Sequence, residues 1–325
     1  MRNFDYSLLR ARTFDREVIN YIGLIHEFKG RQQLYLEQKP RELETLVEIA
    51  KIQSTESSNA IEGIATTKAR LKSLMADKTT PRDRGEKEIK GYGHVLNVIH
   101  ENFDYVPIRK NYILQLHKML YQFTEERFGG SFKDTPNEID MVYPDGRTVL
   151  LFKPLEPFET PEAVEKLCEE YDKAINKYGI DPLIAIPVFI HDFLCIHPFN
   201  DGNGRMSRLL TTLLLYKSGF VIGRYISLEK KIEITKDEYY VALQESSQNW
   251  HEEKNDDTAF IKYILGTIVA AYRDFEERVN MLGKKVSARD MVEKAIRSKI
   301  GKFTKNDIME LCPEIGRGSV ENSLK

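Results

Sequence analysis

Residues 195–210 read CIHPFNDGNGRMSRLL, and the fold turns on how that stretch divides. Upstream, residues 181–196 (DPLIAIPVFIHDFLCI) are apolar at almost every position. Downstream, residues 204–219 (GRMSRLLTTLLLYKSG) repeat apolar residues at helical spacing and close on Gly219, a natural helix stop. Pro198 disfavours helix at His197, and Gly202 to Gly204 form a turn that feeds straight into the second helix. The spacing therefore predicts a helix, a short reactive loop and another helix. The backbone amides of Gly202, Asn203 and Gly204 would sit at the positive end of that second helix, which suits an anion such as phosphate. Arg205 and Arg208, three residues apart, would reach further phosphates from one side of the helix. Cations in a first helical turn oppose the dipole, so two of them imply a compensating anion. Asp201 repels phosphate but suits Mg2+ bridging phosphate oxygens, and His197 titrates where a general base must. Taken singly, each residue has a bland reading as a helix-end histidine or a glycine cap. Together they are the parts of a phosphoryl or nucleotidyl transferase.

Outward from the loop, residues 15–130 carry helical periodicity in REVINYIGLIHEF, ELETLVEIAKIQ, GYGHVLNVIHENF and IRKNYILQLHKMLYQF. Two β-prone runs, EIDMVY and RTVLLF, flank Pro144, Asp145 and Gly146, which predicts one β-hairpin in a helical protein. Helices resume at residues 159–178 and again near 236–248 and 257–278. Three short helical segments close the chain, two of them opening on Ser287 and Thr304 with an aspartate three residues on. This last region resembles an incomplete winged helix-turn-helix. A small helical tail packed on the body or on another subunit is the alternative. The expected fold class is mainly α, with one hairpin and a three-helix C-terminal segment.

Composition narrows the function. Across 325 residues, 48 Lys and Arg face 50 Asp and Glu, a net charge of -2 that gives no whole-molecule field for nucleic acid or anionic lipid. Three widely spaced cysteines argue against a disulfide framework or a zinc site. No apolar run is long enough to span a bilayer. A soluble, cytoplasmic protein is expected, with no membrane partner.

Residues 197–208, HPFNDGNGRMSR, match position by position the signature of Fic-domain proteins, HPFx[D/E]GNGRxxR, and the resemblance extends from about residue 15 to 280. It implies a helical bundle carrying one hairpin, the flap, and transfer of AMP from ATP to a protein hydroxyl. It also implies roles: His197 as base, Asp201 as Mg2+ ligand, and Gly202, Asn203 and Gly204 as anion hole. Arg205 would hold the α- and β-phosphates, Arg208 the γ-phosphate, and Phe199 would anchor the loop. Ser207 stands where many members have glycine. Upstream, SSNAIEG (57–63) resembles the family's inhibitory motif [S/T]xxxE[G/N] through Ser58, Glu62 and Gly63. A carboxylate at Glu62 would pair with Arg208 and take the space of the γ-phosphate, although a glutamate before a glycine cap can simply end a helix.

The implied organisation is an N-terminal helical region (1–110) with the inhibitory helix near 44–63. A core (111–280) follows, with the flap at 137–153 and the loop at 197–208, and then the C-terminal segment (285–325). Partners implied are ATP, a protein target docked on the flap, and a second copy of the chain, since many members dimerise. DNA would meet the C-terminal segment, where cations cluster between Lys284 and Lys305. Three other functions stay open: removal of AMP, transfer from another nucleotide, and a nucleotide-sensing DNA-binding regulator. His191 and Asp192 read as structural, and Tyr239 and Tyr240 as core or the lining of a base pocket.

Overall fold

The computed structural model describes residues 2–38, 40–142, 148–283, 288–298, 302–313 and 315–324. Two helices form its axis. α7 (Pro182–Ile196) is buried all round from Leu183 onward, as expected of a helix apolar on every face, and α8 (Asn203–Lys217) packs against it. Around them, α1 (Arg16–Gln38) lies on α11 (Thr258–Gly283). α2 (Pro40–Ile61) lies between α4 (Arg84–Asn102) and α9 (Leu228–Ile234). α5 (Lys110–Tyr121) packs on α4, α6 (Thr160–Asn176) on α7, and α10 (Lys236–Ser247) on α11; α3 (Lys68–Met75) is a short link against α4. One buried apolar cluster runs through these helices other than α3, from Phe4 to Val279.

Gly219 takes φ 79° just beyond α8, and Gly63 takes φ 78° beyond α2, the left-handed conformation that ends helices and that glycine adopts freely. Close helix crossing explains a third glycine: at Gly91 a Cβ would run into the Leu120 backbone of α5.

The hairpin is β1 (Ile139–Val142) antiparallel to β2 (Thr148–Phe152), with Asp140 opposite Leu150 and an irregularity beside Ile139. Its turn, with Pro144, Asp145 and Gly146, lies outside the described residues. Phe152 fixes the base of the hairpin, 5.9 Å from the Trp250 ring and stacked on His251 at 5.4 Å. At the C-terminus α12 (Ala288–Ser298), α13 (Lys305–Leu311) and α14 (Arg317–Ser323) close over their own small core of Val292, Ala295, Ile308, Cys312 and Val320. Thr304 and Asp307 form the expected capping box; Ser287, with its matching role, lies outside the described residues. No helix among the described residues is long and apolar enough to cross a membrane.

Candidate active site

The loop begins at a strained residue. His197 caps α7 with φ 50°, a left-handed conformation that few non-glycine residues adopt. The imidazole Nδ1 lies 3.2 Å from the Leu194 carbonyl, which can only accept, so the proton sits on Nδ1 and Nε2 keeps its lone pair. Burial pushes the ring's pKa down to about 4, against the pull of that carbonyl. A neutral imidazole at physiological pH can take a proton.

Phe199 is fully buried and stacks face to face on His117, with ring centroids 3.7 Å apart. Asn203 turns its side chain back on the loop, accepting from the Phe199 amide at 2.9 Å and donating to the Phe199 carbonyl at 2.7 Å. Gly202 takes φ 84°, and the first rung of α8 is Met206 N–H to the Gly202 carbonyl. The amides of Asn203, Gly204 and Arg205 precede that rung and have no acceptor within the helix. The Gly202 amide donates to Asp201 Oδ1 at 2.6 Å.

The two arginines part company. Arg208 is buried and meets the end of α2: Nε donates to Ser58 Oγ at 2.8 Å, and Nη2 donates to the Ser58 carbonyl at 2.9 Å and to Glu62 Oε1 at 2.7 Å. Glu62 also lies over the helix start, since a Cβ at Gly204 would press on its carboxylate, with Cδ 3.2 Å away. A carboxylate of the chain thus stands at the N-terminus of α8, where the dipole favours an anion. Arg205, expected on the α- and β-phosphates, is 1 % exposed and turned inward. It pairs with Glu88 at 2.5 Å, donates to Tyr121 Oη at 2.7 Å and reaches Asp201 Oδ1 at 3.5 Å.

Several positioning residues carry no motif in the sequence. His117 lies 3.0 Å from the Asp201 carbonyl through Nε2, and its Nδ1 accepts from the Gly130 amide at 3.0 Å. Lys133 donates from its amide to the Pro198 carbonyl at 2.9 Å and from Nζ to the Ile196 carbonyl at 3.1 Å. Asn137 reaches the Phe199 carbonyl at 3.1 Å. The sequence offers one signal for this strap: it leads straight into the hairpin. Tyr239 is buried and Tyr240 partly exposed.

A loop that joins a neutral imidazole to a helix N-terminus and a buried arginine, on a helical bundle, is an arrangement suited to an anion. The Fic/DOC family description matches residues 107–215. A Fido domain-containing protein of Dictyostelium discoideum is 31% identical over 122 residues, covering 36% of this chain and 80% of that one. The chain belongs to the Fic/DOC family. The protein adenylyltransferase Fic of Culex quinquefasciatus is 25% identical over 181 residues, 53% of this chain and 33% of that protein, so this chain spans only a third of its length. In fold, a Fic family protein from Desulfovibrio desulfuricans G20 is similar with TM-score 0.65 and 22% identity, covering 96% of this chain and 88% of that one.

Proposed function

We propose that this protein is an adenylyltransferase that moves AMP from ATP to a Ser, Thr or Tyr hydroxyl of a protein, itself included, and that Glu62 holds it in check. The observation that carries the reading is the Glu62–Arg208–Ser58 contact laid over the first turn of α8. Likeness to the protein adenylyltransferase Fic of Culex quinquefasciatus, over a third of that protein's length, supports the same reading.

His197 Nε2 takes the proton of the target hydroxyl. The oxygen forms its bond to the α-phosphorus as the bond to the β-phosphate oxygen breaks, and pyrophosphate leaves. The amides at the start of α8 bind phosphate oxygens, and Arg208, once free of Glu62, holds the outermost phosphate. Arg205 acts from beneath, fixing Asp201 through the Glu88 and Tyr121 contacts. Asp201 is a hard oxygen donor, 46 % exposed, and among the described residues no group of three or more His, Cys, Asp or Glu could hold a metal. A lone carboxylate fits Mg2+, which keeps most of its waters and leans on substrate phosphates. Bound there, the ion would neutralise phosphate charge. The hairpin offers strand edges and an exposed Leu150 to an extended target segment. A cytoplasmic setting belongs to the same reading, supported by three free, buried cysteines. The C-terminal cations Arg297, Lys305 and Arg317 pair with Glu293 and Glu321, which gives DNA binding less support.

The test is self-labelling by wild type, Glu62→Gly and His197→Ala with Mg2+ and ATP labelled on the α- or the γ-phosphate. Label from the α-position on Glu62→Gly, less on wild type and none on His197→Ala is the expected result. Transfer of γ-label would make the enzyme a kinase. Stronger labelling of wild type than of Glu62→Gly would remove the inhibitory role of Glu62.

A further inference from the structure

At the loop's rim a cation of the chain already stands on Asp201. Arg84 is the first residue of α4, beyond the N-cap Asp83, where a positive charge opposes the helix dipole. Three carboxylates hold it there. Nε donates to Glu88 Oε1 at 2.6 Å, Nη1 pairs with Glu126 Oε1 at 3.1 Å, and Nη2 donates to Asp201 Oδ2 at 3.2 Å. The other oxygen of Asp201 faces the Gly202 amide and Arg205. Both oxygens of the carboxylate therefore serve the protein's own donors. Three carboxylates face two guanidiniums, so the cluster carries one negative charge with Arg84 in place and two without it. The second state leaves Asp201 Oδ2 without a cation and the rim more negative, which favours a cation at Asp201.

Access distinguishes the two arginines. Arg205 is locked in the core, whereas the Arg84 side chain is 57 % exposed. Rotation of the Arg84 side chain alone would withdraw it from the cluster. Glu88 would keep Arg205 at 2.5 Å, so no buried charge would be stranded.

We infer that Arg84 is a resident counter-ion that competes with the divalent cation for Asp201 Oδ2, so that metal entry requires Arg84 to swing out. Arg84 is a positioning residue in this scheme, acting through Asp201. The inference rests on the reading of Asp201 as the metal's carboxylate.

Calorimetric binding of α,β-methylene ATP, which cannot transfer AMP, tests it. The proteins are Glu62→Gly alone, with Arg84→Met, with Asp201→Asn, and with both, each titrated in Mg2+ and in EDTA. The readout is the ratio of the two dissociation constants; the solution affinity of Mg2+ for the analogue is common to all four and cancels between proteins. Arg84→Met is expected to increase the metal's benefit about tenfold, within the usual range of coupling between bound ligands, and Asp201→Asn to bring the ratio to a common low value with or without Arg84. An unchanged ratio in Arg84→Met, with loss in Asp201→Asn, keeps the metal reading and overturns the role of Arg84. A ratio untouched by Asp201→Asn overturns both. Equal weakening by Arg84→Met with and without metal would make Arg84 a phosphate contact, which also overturns the inference. Thermal melting of each variant verifies folding.

Discussion

His197 carries two perturbations at once, a left-handed backbone and a buried ring, and the second sets the pH range of the chemistry. A base with pKa about 4 is already neutral throughout the physiological range. Label transfer by Glu62→Gly should therefore hold level from about pH 6 to 8 and fall only as the pH drops toward about 4. An acid limb centred near 6.5 would mean a solvated imidazole and would sink this account. Arg205 gives a stability prediction at the same scale. Glu88→Ala leaves a buried guanidinium with the more distant Asp201 contact, and removing one partner of such a pair costs roughly 3 kcal/mol. Urea unfolding of the variant checks it. A cost near zero would show that Tyr121 and Asp201 suffice.

Between residue and fold, α2 is held by polar contacts along its inner face. Ser54 meets Ser227 at 2.9 Å, Ser57 donates to Glu233 at 2.7 Å, and Lys236 donates to the Ile61 carbonyl at 2.7 Å, capping the last turn of α2. Glu62 follows that turn directly, so loosening the cap loosens the latch. Lys236→Ala should raise wild-type self-labelling severalfold while staying below Glu62→Gly; no rise would place the hold on Glu62 elsewhere. The α4–α5 crossing is less forgiving: Gly91→Ala drives a methyl into the Leu120 backbone and should lower stability by roughly 1–3 kcal/mol, read by thermal melting. The sequence discloses these elements unevenly. α7, α8 and α11 are plain because apolar periodicity is local, and the His197–Arg208 loop because its residues are contiguous. The C-terminal end of α2 is marked by Gly63 and its motif. Lys133, Asn137, Glu88 and Arg84 stayed hidden, since each acts on a partner far along the chain and none has a spacing that signals it. Short helices such as α3 and α9 were equally hidden, having too few turns to show a period.

For the molecule as a whole, histidines set opposing limits. Asp192 binds the N-terminal segment to the body, accepting from Tyr6 Oη at 2.8 Å and Trp250 Nε1 at 2.7 Å, and its neighbour His191 lies 2.7 Å from Asp257. Burial lowers His100 to about 3 and His117 and His197 to about 4, from 6.5. The unfolded chain takes up protons that these sites refuse. Their contribution is therefore complete above 6.5 and is lost as the pH falls toward 4, by an amount on the order of a few kcal/mol per site. His191 runs the other way. Burial alone would lower it, but Cys195 and the Asp257 carboxylate outweigh burial and raise it to about 10. Its contribution is complete below 6.5 and is lost as the pH rises toward 10. The melting temperature should thus peak near pH 6.5 and fall at both pH 5 and pH 9. His191→Gln should flatten the alkaline side alone and leave the acid side intact. A melting temperature that climbs steadily from pH 5 to 9, or an alkaline fall that survives His191→Gln, would show that the His191–Asp257 pair does not carry the charge assigned to it.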